Sequence, residues 1–322
     1  MYVRTNEDMN RAIMYGLRHI PRDVDLIVGI PRSGLLAAML ISLYLNKPVT
    51  DLAGLAERRL LDTGKRPLCV GDGDLFDTAR RILIVDDCIS KGTEMDRAHK
   101  LVEDLGLSAR TTFLSVYSFP EHPHKADIVL EIVPRPMVFQ WSCMHSPNLA
   151  GFCVDIDGIL CADATNAQDD DGPRYDAFLR EATPLFTPVV KIGWLVTCRL
   201  EKYRPQTEAW MASHGIRYRE LIMMNYPDKA TREADGKHAQ YKAEIYQRTK
   251  AQLFIESNPR LAQRIFEISG KPVLSFDTLT LHQMKASQRL DILQQKSGYW
   301  VRRLKRAPSK FKRILTQREM RP

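Results

Sequence analysis

The chain has 322 residues and a formal net charge of +8, with 44% of its residues hydrophobic and 27% charged. This length favours two domains over one, and the composition excludes a disordered or fibrous protein. The longest apolar run, 34–45, is too short for the ~18–20 residues of a membrane span, and the N-terminus MYVRTNEDMNR lacks the apolar core of a signal peptide.

The first half of the chain alternates short Val/Ile-rich runs with segments of helical periodicity. These patterns predict strands at 25–30, 82–87, 111–119 and 126–134, and helices at 35–45 and 95–105. Runs that are apolar on both faces are typical of buried parallel strands. The alternation of strands and helices therefore predicts a doubly wound α/β sheet.

The second half restarts the same pattern. It predicts strands at 151–160, 193–200 and 251–257, and a helix at 204–215 that closes on a glycine. The boundary between the halves is expected at Ser146-Pro147-Asn148. The predicted fold class is α/β, with two doubly wound Rossmann-like domains at 1–148 and 149–282 and a basic amphipathic tail at 283–322.

Two adjacent carboxylates end a predicted strand in ILIVDDCISKGTEM, residues 82–95. In doubly wound sheets, ligands bind outside the carboxyl ends of the strands, which is where Asp86 and Asp87 are expected. Adjacent acids accept hydrogen bonds from vicinal hydroxyls, and the loop 88–93 leads into a helix whose first N–H groups suit a phosphate. A diol beside a phosphate indicates a ribose 5-phosphate ligand.

This stretch resembles the signature with which type I phosphoribosyltransferases bind 5-phosphoribosyl 1-diphosphate (PRPP), and VGIPRSGLLAA (28–38) is similar to their pyrophosphate loop. The resemblance implies that pyrophosphate leaves C1, that Mg²⁺ bridges the diphosphate and the ribose hydroxyls, and that positioning does most of the catalysis. The implied PRPP-binding residues are Arg32, Ser33, Gly34, Asp86, Asp87, Ser90, Lys91, Gly92 and Thr93. The family usually has Thr or Ser where this chain has Lys91 and Glu94.

Two further segments match the same family by position. Residues 55–78 lie where the family has a mobile loop that closes over PRPP, and 134–143 resembles the hood segment that shapes the acceptor pocket of purine-type members. The loop segment carries four basic residues, Arg58, Arg59, Lys65 and Arg66. A sugar hydroxyl acceptor needs a general base, for which the candidates are Glu57, Asp72, Asp74 and Asp77. A non-catalytic PRPP sensor is the alternative for this half.

Asp155 and Asp157 are two residues apart in FCVDIDGIL (152–160), so on an extended strand their side chains share a face. One aspartate can attack phosphorus to form an aspartyl-phosphate, and the other can protonate the leaving alcohol and then activate water. Mg²⁺ held by oxygen ligands would neutralise phosphoryl charge. The pair therefore predicts a phosphoryl-transfer site.

This motif resembles the first motif of the haloacid-dehalogenase (HAD) phosphatases, and the later motifs follow in family order. The resemblance implies four catalytic residues, Asp155, Asp157, Thr197 and Lys242, with Lys237 as a second candidate for the lysine. The implied metal ligands are Asp155, Asp157 and Glu256. The family often has Thr where this chain has Ile159, and a second acid where it has Ser257, which leaves water or Asn258 to complete the site. The segment 161–185 replaces a larger cap, and its acidic run 169–172 is expected to be a solvated turn.

The order of the two domains predicts net ribosyl transfer: PRPP gives 5-phosphoribose to an acceptor, and the second domain removes the 5-phosphate. One acceptor class is a sugar hydroxyl of a glycan on a lipid carrier, because paired domains of this kind resemble the enzymes that add ribofuranose to bacterial surface polysaccharides. The other class is a nucleobase, as in salvage. Salvage does not need to remove the phosphate that it has just installed, which favours the glycan.

The basic charge is concentrated in the tail. Residues 296–322 hold ten Lys/Arg and one acid, interleaved with Tyr299, Trp300 and Phe311. This pattern favours binding to an anionic membrane surface. A solvated or partner-binding tail is the alternative, and no groove-reading motif indicates nucleic acid.

Six cysteines without a CxxC pair predict reduced thiols. The expected location is the cytoplasm, at the inner face of the membrane, with homo-oligomerisation left open.

Overall fold

A computed structural model describes residues 1–61 and 74–284 of the chain. The chain divides into two compact units, Met1–Leu149 and Ala150–Pro322. Apart from residues 283 and 284, the predicted tail lies outside the described residues, and so do Lys65, Arg66 and Asp72 of the predicted loop. Within the described residues, no helix is both long and apolar enough to cross a membrane.

The first unit is built from strands and helices in alternation. In chain order its elements are β1 (Tyr2–Arg4), α1 (Asn6–Gly16), β2 (Val24–Gly29), α2 (Gly34–Leu45), β3 (Val49–Asp51), α3 (Leu52–Glu57), α4 (Leu75–Thr78), β4 (Arg81–Ile89), α5 (Thr93–Asp104), β5 (Thr111–Ser118), β6 (Ile128–Ile132) and β7 (Met137–Phe139). Five of the strands form a parallel sheet in the order β3-β2-β4-β5-β6, and β1 pairs in parallel with β7.

Side-chain alternation along the central strand β4 explains why both faces of this sheet are covered. Leu83 and Val85 belong to one buried apolar cluster, while Ile82 and Ile84 belong to another. Successive side chains on a strand point to opposite faces, so the run 82–85 supplies both cores. The prediction of a doubly wound parallel sheet is confirmed for this unit as a mixed α/β fold.

The second unit repeats this architecture with its own sheet. Its elements are β8 (Phe152–Val154), α6 (Pro173–Glu181), β9 (Ile192–Leu200), α7 (Arg204–Ser213), β10 (Tyr218–Met224), α8 (Lys229–Asp235), α9 (His238–Arg248), β11 (Leu253–Glu256), α10 (Pro259–Ser269), β12 (Val273–Ser275) and β13 (Thr280–His282). The strand order is β10-β9-β8-β11-β12-β13, and every pair is parallel except β12 with β13.

Local sequence signals set several element ends. α1 begins at a capping box in which the Thr5 side chain accepts the Asp8 N–H and the Asp8 carboxylate accepts the Thr5 N–H. α10 begins at Asn258, whose side chain accepts the N–H groups of the next turn. α2 ends at Asn46 in the left-handed region, with φ of 51°.

The bounds of two predicted strands differ from the structure. β4 continues to Ile89, because Asp86, Cys88 and Ile89 still pair with β5, so the two acids lie within the strand and not beyond it. The strand predicted at 151–160 ends at Val154, and the chain turns before residue 160. Asp155 and Asp157 therefore follow the strand instead of lying on it, and strand alternation does not explain how they come together.

The acidic run 169–172 also differs from the expected solvated turn. The Asp171 carboxylate accepts hydrogen bonds from Lys202 Nζ, Tyr203 Oη and the backbone N–H of Lys229. The Asp170 carboxylate accepts the N–H of Tyr175. These contacts join the acidic run to Lys202 and Tyr203, just before α7, and to Lys229 at the start of α8.

Candidate active sites

Asp86 and Asp87 are both buried in the first unit, with 8% and 6% of their surface exposed. Burial, followed by the neighbouring Asp87 carboxylate, raises the pKa of Asp86 well above its ordinary value. Asp87 has a partner on each oxygen: Ser33 Oγ donates to Oδ1 at 2.8 Å, and Trp141 Nε1 donates to Oδ2 at 3.0 Å. Asp87 is therefore fixed in orientation, and burial, together with the Asp87 charge, disfavours ionisation of Asp86.

A cavity of about 330 Å³ lies beside these two acids. It brings together seven of the nine predicted PRPP-binding residues: Ser33, Asp86, Asp87, Ser90, Lys91, Gly92 and Thr93. Arg32 is exposed and does not line it, and neither does Gly34. Gly34 instead lets α2 approach β4, because a Cβ there would lie 2.9 Å from the Val85 carbonyl oxygen and 3.0 Å from Asp86 Cα.

The side chain of Lys125, which sequence reasoning missed, packs against Gly92 in the loop before α5. Gly92 has a φ of 81°, and a Cβ added to it would lie 2.2 Å from Lys125 Cδ. Lys125 Nζ forms an ion pair with Asp96 in the first turn of α5. Lys125 follows β5 in the chain and has no motif of its own, so nothing in its sequence surroundings indicated that it lies on this loop.

The predicted hood segment contacts the acid pair directly. Trp141 stacks on Phe139 with ring centroids 4.6 Å apart while its indole N–H reaches Asp87. Arg135 lies 3.7 Å over the Phe119 ring and donates to the Ser90 carbonyl at 3.2 Å. The sequence predicted a role for this segment at the acceptor pocket, but it did not predict that Trp141 would hold Asp87.

The candidate general bases that are described are all paired with arginines. Arg58 binds both Asp74 and Asp77, and its hydrogen bonds lower the pKa of each carboxyl group. Glu57 pairs with Arg59 at 3.2 Å. A general base works best when its pKa lies near the operating pH, so in this arrangement Asp74 and Asp77 are poorly suited to that role.

In the second unit, Lys242 lies between two buried carboxylates. Its Nζ is 2.6 Å from Asp155 Oδ2 and 2.7 Å from Glu256 Oε2. Burial and the Glu256 charge raise the pKa of Asp155, and Lys242 opposes this shift. Although burial alone would lower the pKa of Lys242, the two carboxylates outweigh it and raise that pKa. The lysine is therefore held as a cation against Asp155.

Arg199 is the second buried cation of this site, and sequence reasoning missed it. It is 1% exposed and binds Asp157 through Nε at 3.0 Å and through NH2 at 2.6 Å. Burial would raise the pKa of Asp157, but the guanidinium outweighs it and lowers that pKa. Arg199 also donates to Thr207 Oγ1 and Cys161 Sγ. A signal was available, because Arg199 stands two residues after Thr197 on β9 and so shares its face.

The remaining predicted residues of this site separate into buried and exposed groups. Thr197 is fully buried, and its Oγ1 accepts the Arg199 N–H at 3.2 Å. Lys237 is largely exposed and pairs with Asp235, so Lys242 is the lysine that reaches Asp155. Asn258 uses its side-chain oxygen to cap α10.

The donor chemistry of this site fits Mg²⁺ in kind, because carboxylate oxygens are the ligands that this ion prefers. Asp155 and Glu256 already place one oxygen each within 2.7 Å of a single cationic atom, Lys242 Nζ, and these two residues would hold the metal. Asp157 is directed to Arg199 instead. Among the described residues, no group of three or more His, Cys, Asp or Glu is arranged to hold a metal ion, so the predicted set of three ligands stays a prediction.

The first part of the chain resembles several solved structures. A purine phosphoribosyltransferase from Pyrococcus horikoshii Ot3 is 24% identical, covers 43% of this chain and 92% of its own, and gives a TM-score of 0.32. The Helicobacter pylori xanthine-guanine-hypoxanthine phosphoribosyltransferase is 18% identical, with 44% and 91% coverage and a TM-score of 0.33. A hypothetical protein from Neisseria gonorrhoeae with bound ppGpp is 14% identical, with 44% and 89% coverage and a TM-score of 0.30.

At these TM-scores the likeness carries no argument about what this chain binds. No family model and no curated protein matches the chain. The functional proposal therefore depends on the residues and the geometry of the two sites.

Proposed function

We propose that this protein is a bifunctional enzyme that transfers 5-phosphoribose from PRPP to an acceptor hydroxyl and then removes the 5-phosphate, leaving a ribofuranosyl group. The acceptor proposed is a glycan on a lipid carrier. The observation that carries the proposal is that each unit places two carboxylates near the carboxyl end of a central parallel strand, each with different partners. The first pair lies beside a phosphate-type loop, and the second pair is bound to two buried cations.

In the first unit, the residues support gripping a phosphorylated pentose. Asp87 is oriented by Ser33 and Trp141 to accept hydrogen bonds from vicinal hydroxyls. The loop 90–93 opens the 12-residue helix α5, whose first N–H groups suit the 5-phosphate. Lys91 is exposed on this loop and adds positive charge. The acceptor oxygen bonds to C1 as the bond from C1 to the diphosphate oxygen breaks, and the proton of the acceptor hydroxyl leaves with the pyrophosphate.

In the second unit, the residues support hydrolysis of a phosphate ester. The Asp155 carboxylate attacks phosphorus, the P–O5 bond breaks, and the leaving oxygen takes a proton from Asp157; water then cleaves the aspartyl-phosphate. Because Arg199 holds Asp157 as a carboxylate before the substrate binds, the proton for the leaving oxygen comes from the monoanionic phosphate ester and passes through Asp157. The carboxylate that remains then activates the water. Lys242 stabilises the charge on the phosphoryl oxygens. Mg²⁺, when bound, supplies further neutralisation of that charge.

The acceptor class is inferred from the order of the two reactions, transfer followed by phosphate removal. Phosphate removal after transfer has a use when the sugar is the final product, and no use when a nucleotide is. The basic, aromatic-rich tail suits attachment to an anionic membrane, where a lipid-linked glycan would be found. The proposal includes Mg²⁺ as cofactor and a cytoplasmic location at the inner membrane face.

The first test is pyrophosphate release from PRPP and Mg²⁺ with different acceptors. The expected result is release that depends on a polyprenyl-diphosphate-linked oligosaccharide and not on adenine, guanine or orotate. Release that depends on a nucleobase would contradict the glycan acceptor in favour of salvage. Absence of release with every acceptor, combined with measurable PRPP binding, would indicate a PRPP sensor.

A further inference from the structure

A large cavity opens at the edge of the acid pair in the second unit. Its volume is about 830 Å³, and it begins at Gly158 and Ser257, the residues that directly follow Asp157 and Glu256. A phosphate ester bound at Asp155 would extend its alcohol portion into this space. The cavity is therefore placed to hold whatever group the 5-phosphate leaves behind.

The wall of this cavity combines aromatic rings with carboxylates. Phe186 and Phe276 meet edge to face, with centroids 5.2 Å apart, and offer apolar surfaces that suit the C–H faces of a sugar ring. Asp163 and Asp277 are exposed on the same wall and accept hydrogen bonds from hydroxyls. The described residues that line the cavity include no Lys or Arg.

The described lining of this cavity is therefore acidic. Burial first, and then the charges of Asp157 and Glu256, raise the pKa of Asp163 above its ordinary value, while the charges of Lys242 and Arg199 oppose this shift without cancelling it. Neither Asp163 nor Asp277 has an ion-pair partner among the described residues. An uncharged polyhydroxylated group meets hydrogen-bond acceptors here, whereas an anionic group meets like charge.

This difference matters because the proposed enzyme handles two compounds with the same 5-phosphate. PRPP is the donor, and its C1 carries a diphosphate. The transfer product has an uncharged glycosyl group at C1. A phosphatase that recognised only the ribose 5-phosphate would destroy the donor before it was used.

We propose that this cavity is a charge filter: it accepts 5-phosphorylated ribofuranosides whose C1 group is uncharged, and Asp163 and Asp277 exclude PRPP by repelling its diphosphate. This inference rests on the proposed phosphatase activity and specifies the substrate class of that site. Phe186 and Phe276 bind the glycosyl group of the transfer product. Asp163 and Asp277 are specificity-determining residues with no part in the bond-breaking steps.

The test compares phosphate release from methyl β-D-ribofuranoside 5-phosphate and from PRPP, using the full-length protein with Mg²⁺. ³¹P NMR separates loss of the 5-phosphate from loss of the diphosphate. The wild type should prefer the ribofuranoside in kcat/KM, and the variant D163N/D277N should reduce this preference about tenfold, mainly by accepting PRPP, since like charges at close range cost a factor of this order or more. Raising salt from about 50 to about 500 mM should narrow the wild-type preference and leave that of the variant nearly unchanged, because exposed charges are screened.

A matched control separates local from global charge. The variant E244Q/E267Q removes two exposed carboxylates on α9 and α10 that do not line the cavity, and it should keep the wild-type preference. Equal hydrolysis of both substrates by the wild type, or an unchanged preference in D163N/D277N, would overturn the filter. Ribosyl transfer is assayed separately by pyrophosphate release. A charge preference without any ribosyl transfer would refute the proposed transfer and support the charge filter. Ribosyl transfer without a charge preference would support the proposed transfer and refute the charge filter.

Discussion

The ion pair between Arg199 and Asp157 should be costly to break in the second unit, because Arg199 is almost completely buried. In the variant R199M, the methionine occupies a similar space, but Asp157 loses all its guanidinium hydrogen bonds. Removing one partner of a buried pair typically costs about 3–5 kcal/mol. The Asp157 side chain keeps 27% exposure and some contact with water, so we expect the lower end, about 3 kcal/mol.

Two comparisons isolate this effect. The double variant R199M/D157N also removes the stranded charge, so we expect it to be more stable than R199M alone by about 1–2 kcal/mol. The control R180M breaks a pair of similar geometry with Asp176, but this pair lies on the surface of α6 with Arg180 58% exposed. Such helix-surface pairs contribute little to stability, because water and salt screen both charges.

Hydrogen exchange of peptides from β9, followed along a urea titration, reports the free energy of unfolding of the second unit alone. With a slope of roughly 2 kcal/mol per M, the R199M midpoint should fall by about 1.5 M urea. If R199M and R180M shift the midpoint equally, the buried pair does not stabilise this unit in the way described, and the orientation of Asp157 needs another explanation.

Three further predictions concern single residues. W141F removes a hydrogen bond to the Asp87 carboxylate, so the Kd for PRPP measured by calorimetry should rise about tenfold; an unchanged Kd would mean that the indole does not orient Asp87. G92A forces a side chain into a left-handed position, at a cost of roughly 1–2 kcal/mol, and against Lys125; PRPP binding should weaken while thermal unfolding of the second unit stays constant, and weakening of both would point to general misfolding. For Asp170, desolvation is outweighed by its hydrogen bonds, which lower its pKa to about 2. The wild type should therefore be more stable than D170N above about pH 4, and this difference should disappear as the pH falls towards about 2. A difference in unfolding free energy that persists at pH 2 would show that it does not come from the Asp170 charge.

The sequence predicted the parallel sheets well because their strands are continuous apolar runs. Alternate residues of the run 82–85 belong to two different apolar clusters. A continuous apolar run of this kind is typical of a strand that is buried on both faces. It predicted strand ends less well. Hydrophobicity stops at Val85, yet β4 continues through Asp86 to Ile89, since backbone pairing with β5 does not depend on the side chains.

Within the sites, motif residues were easier to predict than their partners. Asp155, Lys242 and Glu256 are far apart in the chain, and yet both carboxylates lie within 2.7 Å of Lys242 Nζ. Asp155 and Glu256 stand at the carboxyl ends of the neighbouring strands β8 and β11, and Lys242 reaches them from α9. Lys125 belongs to no motif, and the hood resemblance gave Trp141 no partner, so the contacts of both residues with the first site follow only from tertiary packing. Strand alternation could have placed Arg199 on the same face as Thr197, but a lone arginine on a buried strand does not indicate which residue it binds.

The most direct test of the account is the mass of the glycan product. The full-length protein is incubated with PRPP, Mg²⁺ and a polyprenyl-diphosphate-linked oligosaccharide, and the wild type is compared with D155N. The wild type should add a pentosyl group and D155N a phosphopentosyl group, with pyrophosphate released in both reactions. A D155N product that already lacks the phosphate, or an acceptor that gains no pentose with either protein, would contradict the claim that one chain first transfers and then dephosphorylates.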